Sequence, residues 1–153
     1  MFTKLSNRIM KTRGLILLTT ICHLCILVGI GHGAAPLFVA LPTLMQELID
    51  NGFKFQLVGS YSVRLPIAAF ISIIGYFVLV VAYLFNNNRR SYLIHSGLFI
   101  LSFAFSIMAF DFSTGYFDGF VLLFGSPFLF ALIRFILFLL PISKKQHRKE
   151  SSV

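Results

Sequence analysis

Few residues of this chain are suited to chemistry, and the densest group is the string Cys22-His23-Leu24-Cys25. Two thiols at this spacing can form a redox pair, and the imidazole between them can ligate a metal or a haem iron. His95 and Arg134 also lie within apolar runs. Because ionisable side chains inside a membrane mark functional sites by default, Arg134 is a candidate for binding an anionic headgroup or a quinone carbonyl.

The Cys22-His23-Leu24-Cys25 string resembles the CxxC motif of four-helix membrane thiol oxidoreductases that pass electrons to quinone. The resemblance covers these four residues and the expected number of spans, and it implies a redox role for Cys22 and Cys25. Those enzymes typically carry a second cysteine pair that relays electrons to a soluble partner, whereas this chain has only 2 Cys. The residues themselves therefore favour packing against a neighbouring helix over redox chemistry.

The histidines do not define a cofactor site. A b-type haem needs two His at matching depth, but His23 and His95 differ by roughly 7 Å when counted from the inner ends of their spans. A metal site built from His23, Cys22 and Cys25 lacks a convincing fourth ligand. We therefore predict neither a metal nor a cofactor, and we keep haem and quinone as alternatives.

His95 and Arg134 provide the best ligand-site hypothesis. Both are expected near the cytoplasmic face, and they line one pocket if the third and fourth spans are antiparallel neighbours. His23 is a further candidate ligand-binding residue. Arg134 has a competing interpretation, because its long side chain can reach the inner interface from about 10 Å inside the span.

The composition identifies the class of protein. Of the 153 residues, 58% are apolar and 12% are charged, about half the charged fraction of a typical soluble domain. The mean hydropathy is +0.89. These values exclude a soluble globular domain, a disordered chain and an outer-membrane barrel. The sequence contains no Walker A, GxSxG, HExxH or GxGxxG motif, so a non-enzyme is favoured over an enzyme.

Uncharged runs predict four spans. Between Arg13 and Glu47 no residue is charged, which as one helix would extend about 50 Å and exceed the roughly 30 Å hydrocarbon core. The cluster of Gly29, Gly31 and Gly33 followed by Pro36 is the natural break. The predicted spans are about 14–33, 66–85, 91–110 and 119–140, within a membrane domain at 14–140 flanked by basic tails at 1–13 and 141–153.

The basic residues predict the orientation. Ten of the 13 fall on one side of a four-span chain, and four of the five acids fall on the other. The positive-inside rule then places both termini in the cytoplasm. The ten are Lys4, Arg8, Lys11, Arg13, Arg89, Arg90, Lys144, Lys145, Arg148 and Lys149. The net charge of +8 is thus a topology signal, and no nucleic-acid partner is predicted.

The beginning of the chain has a second interpretation. A basic start followed by the apolar run Leu15–Ile30 is also typical of a secretory signal peptide. The run is long for such a peptide, and Pro36 disfavours cleavage after Ala35. We expect the first span to be retained, with a cleaved signal as the alternative.

An outer segment at 34–65 separates spans one and two. Leu41, Leu44, Met45, Leu48 and Ile49 recur with helical period, which predicts an amphipathic helix that begins near Pro42 and ends at Asn51-Gly52. From Phe53 to Leu65 apolar and polar residues alternate, which predicts extended structure and allows a β-hairpin turning at Gly59-Ser60. An irregular cap over the bundle is favoured, and a strand edge on which a partner docks is the alternative.

These observations predict an all-α membrane protein, a four-transmembrane-helix bundle of the bacterial inner (plasma) membrane. The bacterial source is inferred only from low Trp and high Phe, Ile and Asn. Besides lipid, its expected partner is another membrane protein or a second copy of itself. The predicted function is a non-catalytic accessory or scaffold subunit of a membrane complex. The alternatives are a quinone- or haem-binding redox protein and a small homo-oligomeric channel or carrier.

Overall fold

The computed structural model describes residues 2–30, 33–52, 60–85, 90–111 and 115–150. For 2–9, 30, 111 and 140–150 it describes the backbone only. The described part of the chain is mostly helical (84%). Its elements are α1 (Phe2–Leu24), β1 (Leu27–Ile30), β2 (Gly33–Pro36), α2 (Leu37–Asp50), α3 (Tyr61–Leu84), α4 (Arg90–Ala109), β3 (Phe110–Asp111), β4 (Tyr116–Phe117) and α5 (Gly119–Glu150).

Three helices of the described chain are long and apolar enough to cross a membrane: α3, α4 and Gly119–Leu139 of α5. They correspond to the last three predicted spans. Helix α4 agrees to within one residue at each end, whereas α3 begins at Tyr61 and includes Pro66 inside it. The prediction of a membrane protein built from helices is therefore supported, and a four-span bundle is not confirmed.

The first predicted span differs from the structure. Helix α1 ends at Leu24, and the chain then forms an antiparallel pair in which Leu27 faces Pro36 and Ile30 faces Gly33. The uncharged part of α1, from Gly14, extends only about 16 Å. Hydrogen bonds between β1 and β2 replace the helical hydrogen bonds of the backbone N–H and C=O groups beyond the end of α1. Ile26 and Val28 are fully buried, whereas Gly33 and Ala34 of β2 are exposed.

The predicted amphipathic helix is α2. It buries a face consisting of Leu37, Ala40, Leu44 and Leu48, and it ends at Asn51 before Gly52, which has a φ of +67°. Its start lies further upstream than expected, so Pro42 falls in the second turn. The backbone N–H of Leu37 donates to the carbonyl of Ile26 at 2.8 Å, which joins α2 to the end of α1.

Helix α2 packs against α3, whose first turns are the most completely buried. There the residues from Arg64 to Ala69 are buried in succession, which requires packing on every side of the helix. The predicted extended structure is wrong for 61–65, because these residues form the first turns of α3 after Ser60; residues 53–59 lie outside the described chain. Helical packing against α2 and α4 overrides the short alternation of apolar residues.

Helices α3 and α4 interlock through two glycines. A Cβ atom at Gly75 would lie 2.6 Å from Leu101 Cδ2, and a Cβ atom at Gly97 would lie 2.6 Å from Leu79 Cδ2. Each leucine therefore occupies the space that a side chain on the opposite helix would need. Small residues at such positions allow membrane helices to approach closely.

Gly97→Ala is expected to destabilise the bundle by about 1–2 kcal/mol, because the new methyl group overlaps Leu79 in a packed interface. Thermal or denaturant unfolding of the purified protein in detergent would measure this loss. Leu79→Ala vacates the contested space, so the double variant should lose less stability than the sum of the two single variants. If the two substitutions destabilise additively, the contact between them is not the cause.

At the other ends of these helices, β3 pairs with β4 between α4 and α5. The Asp118 N–H donates to the carbonyl of Ala109 at 2.7 Å. The Asp118 carboxylate accepts from the N–H groups of Phe120 and Val121 at 2.9 and 3.2 Å, which caps the start of α5. Helix α5 then packs along α1.

Candidate functional site

His23 lies at the centre of the bundle. Its side chain is fully buried, and Nδ1 shares a hydrogen bond of 2.7 Å with the hydroxyl of Tyr76 on α3. Its ring meets the Phe128 ring of α5 edge-on, with centroids 4.6 Å apart. His23 of α1 therefore contacts both α3 and α5. The sequence string from Cys22 to Cys25 did not indicate so central a position.

The second imidazole nitrogen of His23 distinguishes it from the other buried polar groups. Nε2 comes near the backbone of Leu101 but makes no hydrogen bond of normal geometry with the described residues. The hydroxyls of Thr19 and Ser72, by contrast, donate to carbonyls one turn back in their own helices, at 2.8 and 2.7 Å. The His23–Tyr76 pair is thus a polar contact between helices rather than a local one.

The two cysteines are free thiols at the C-terminal end of α1. Cys22 is half-buried and packs against the core, whereas Cys25 is exposed just beyond the last turn. The carboxyl end of a helix carries partial negative charge, which disfavours the thiolate that redox chemistry requires. Cys22 thus has the environment that the packing interpretation expects, whereas the exposure of Cys25 does not fit it.

His95 lines a groove between α4 and α5 with a volume of about 410 Å³. His95 Nδ1 donates to the carbonyl of Ser91 at 2.6 Å, so a neutral ring carries its lone pair on Nε2. The other lining residues are Leu98, Phe99, Ser102, Leu132, Ile136 and Leu139. The groove is therefore mainly apolar, with one imidazole and one hydroxyl.

Arg134 does not line this groove. The α5 residues that do are Leu132, Ile136 and Leu139, and Arg134 lies about 200° around the helix from the first of them. Its side chain is exposed. The groove that His95 lines is therefore not shared by Arg134.

His23 and His95 do not share a site. His23 lies inside the bundle and His95 lies in the groove, while His32 falls outside the described residues. Within the described part of the chain, no three His, Cys, Asp or Glu side chains come together as metal ligands. A haem ligated by both His23 and His95 finds no support in this arrangement.

Four polar residues follow one face of α4, and we call them the α4 polar stripe: Ser91, His95, Ser102 and Ser106. The stripe extends about 22 Å and is exposed except at Ser102, which is half-buried. Ser102 and Ser106 donate to the carbonyls of Leu98 and Ser102 at 2.8 and 2.9 Å. These local hydrogen bonds allow the stripe to exist in lipid, and the spacing of its serines is readable from the sequence.

Sequence reasoning missed Arg64, which it treated only as an outer charge. Its side chain is 2% exposed and donates from Nη1 to the carbonyls of Ile107, at 3.1 Å, and Phe110. The first carbonyl belongs to the last turn of α4 and the second to the residue just after it, where the helix has no glycine cap and an Arg is favoured by the macrodipole. The absence of such a glycine is the one signal that the sequence offers.

No protein-family model, curated protein or solved structure shows significant similarity to this chain. Its function therefore has to be inferred from its own residues. The described side chains form three features: the buried His23–Tyr76 contact, the apolar groove between α4 and α5, and the α4 polar stripe that runs through that groove.

Proposed function

We propose that this protein is a non-catalytic accessory or scaffold subunit of a membrane complex, and that its α4 polar stripe packs against a transmembrane helix of a partner protein. The observation that carries the proposal is that the stripe and the groove coincide, because His95 and Ser102 belong to both. An amphipathic helix, α2, packs against α3 without adding a span.

The physical reason lies in how helices associate in lipid. Lipid tails are as apolar as leucine, so helix association depends on close packing and on polar contacts between helices. The α4 polar stripe offers small hydroxyl side chains, and the flanking Phe99 is 73% exposed. The groove leaves room into which side chains of a facing helix fit.

The proposal includes a bacterial inner membrane with both termini in the cytoplasm. Arg13 and Arg90 lie close together at one end of the bundle, whereas Arg64 and Asp118 both lie close to Tyr61 at the other end. Helix α1 begins, and α5 ends, on the Arg13 side. The positive-inside rule favours that side as cytoplasmic, and this support does not depend on whether α1 crosses the whole bilayer.

A quinone-binding protein is the second candidate. The groove that carries the first proposal is also suited to an amphiphilic ring, because His95 Nε2 lies at an apolar surface where its lone pair can accept a hydrogen bond from the hydroxyl of a quinol. Native mass spectrometry of the protein gently extracted from its own membrane separates the two. A bound mass of a quinone favours the second candidate, and a bound polypeptide favours the first.

The direct test is photocrosslinking in native membranes at natural expression levels. A benzophenone amino acid replaces Phe99 beside the α4 polar stripe, or Phe77 on the outside of α3 as a control; the two side chains are 73% and 69% exposed. The expected result is a discrete protein adduct from position 99 and none from position 77.

Two results would contradict the accessory role. Equal labelling at both positions, or at neither, means that α4 has no preferred protein neighbour. An adduct of about twice the 17.2 kDa chain means that the stripe joins two copies, which favours the homo-oligomeric channel or carrier.

A further inference from the structure

Two arginines from different helices converge at the end of the bundle opposite Arg64. The guanidinium of Arg13 on α1 stacks over the ring of Tyr83 on α3, with Cζ 5.3 Å from the ring centroid. Arg90, the first residue of α4, lies close enough for its charge to repel that of Arg13. Three helices thus hold two like charges together.

These guanidiniums have unused hydrogen-bond donors. Nε of Arg13 and both Nε and Nη2 of Arg90 are buried and have no hydrogen-bond partner among the described residues, carboxylates included. Leaving a buried charged donor unpaired is costly, and placing a like charge beside it adds to the cost. An anion between the two side chains would relieve both penalties.

The chemistry of the donors and their depth indicate which anion. The guanidinium fork matches the oxygens of a phosphate group and can bind it in a bidentate manner. Arg13 directly precedes the uncharged part of α1, Tyr83 lies in the last turn of α3, and Arg90 begins α4. All three therefore lie at the boundary of the spans, which is the depth of phospholipid headgroups and of interfacial tyrosines.

We infer that Arg13 and Arg90, with Arg13 oriented by Tyr83, bind the phosphate group of an anionic phospholipid where α1, α3 and α4 meet. Two positive charges favour a headgroup with net negative charge over a zwitterionic one. This site is separate from the α4–α5 groove, and its existence does not depend on the proposed accessory role.

The test is native mass spectrometry of the full chain in detergent, titrated with phosphatidylglycerol or phosphatidylcholine. The wild type is expected to retain one phosphatidylglycerol with about tenfold higher affinity than phosphatidylcholine, which corresponds to about 1.4 kcal/mol. Arg13→Gln/Arg90→Gln should lose this preference. Lys11→Gln is the matched control, because it removes a charge from the same end of α1 at an exposed position, and it should keep the preference within about twofold.

A conservative pair keeps the test valid if the glutamine variant does not fold. Arg13→Lys/Arg90→Lys retains both charges without the planar fork, and it should show an intermediate preference. Equal affinity for the two lipids in the wild type, or an unchanged preference in either arginine double variant, would overturn the site. A further measurement adds millimolar inorganic phosphate to the protein with phosphatidylglycerol bound. If it displaces the lipid completely, the arginines bind free phosphate, and the lipid assignment is wrong.

Discussion

Arg64→Met is expected to lower the free energy of unfolding by about 3 kcal/mol or more. Each hydrogen bond from a charged donor contributes about 1.5–3 kcal/mol, and Arg64 donates to two carbonyls at the end of α4, those of Ile107 and Phe110. Methionine fills similar space but donates nothing. The carbonyls of Ile107 and Phe110 would each lose a charged donor, and the last turn of α4 would fray.

Equilibrium unfolding in mixed micelles, followed by circular dichroism, measures this loss. Arg134→Met is the matched control, since it makes the same chemical change at an exposed position on α5. We expect its effect to stay within about 0.5 kcal/mol. Similar values for both substitutions would mean that Arg64 does not support the end of α4.

His23→Ala is the second large effect, with an expected loss of about 3 kcal/mol. Truncating a large buried ring leaves a cavity that the surrounding structure only partly refills. The ring of Phe128 would lose its edge-on contact, and the Tyr76 hydroxyl would lose its partner. The same unfolding measurement applies, with Cys25→Ala as an exposed control from the neighbouring turn.

Tyr76→Phe separates the hydrogen bond from the cavity. It removes only the hydroxyl, and hydrogen bonds between membrane helices contribute about 0.6–1.7 kcal/mol. The loss should therefore be smaller than that of His23→Ala, and the double variant should lose less than the sum of the two. Strict additivity would show that the imidazole and the phenol are energetically independent.

The parts of the fold that could be predicted depend on signals local in the sequence. Uncharged runs locate α4 and the start of α5, and the spacing of Leu44 and Leu48 with their neighbours locates α2. The parts that could not be predicted depend on distant partners. The strands at 27–30 and 33–36 are stable because other elements cover them, and Arg64 has its role because α4 ends beside it.

The candidate site divides in the same way. Counting residues placed His95 and Arg134 at similar depth, because rise along a helix is constant. Which way each side chain faces depends on helix rotation, which is determined by contacts such as Gly97 against Leu79 and Gly125 against Phe105. A single sequence does not provide that rotation, and Arg134 accordingly does not line the groove that His95 lines. His23 was identified as a residue of interest, but its partner Tyr76 lies 53 residues away.

The short first helix and its hairpin have a consequence for biogenesis. An apolar helix of about 16 Å is too short to be released into lipid as an independent span, and the open edges of a two-stranded hairpin are not stable there. The elements that cover this hairpin are α2 and α5, and α5 is synthesised after α1–α4. Helix α1 and its hairpin are therefore made well before α5 can cover them, which makes their final positions dependent on the synthesis of α5.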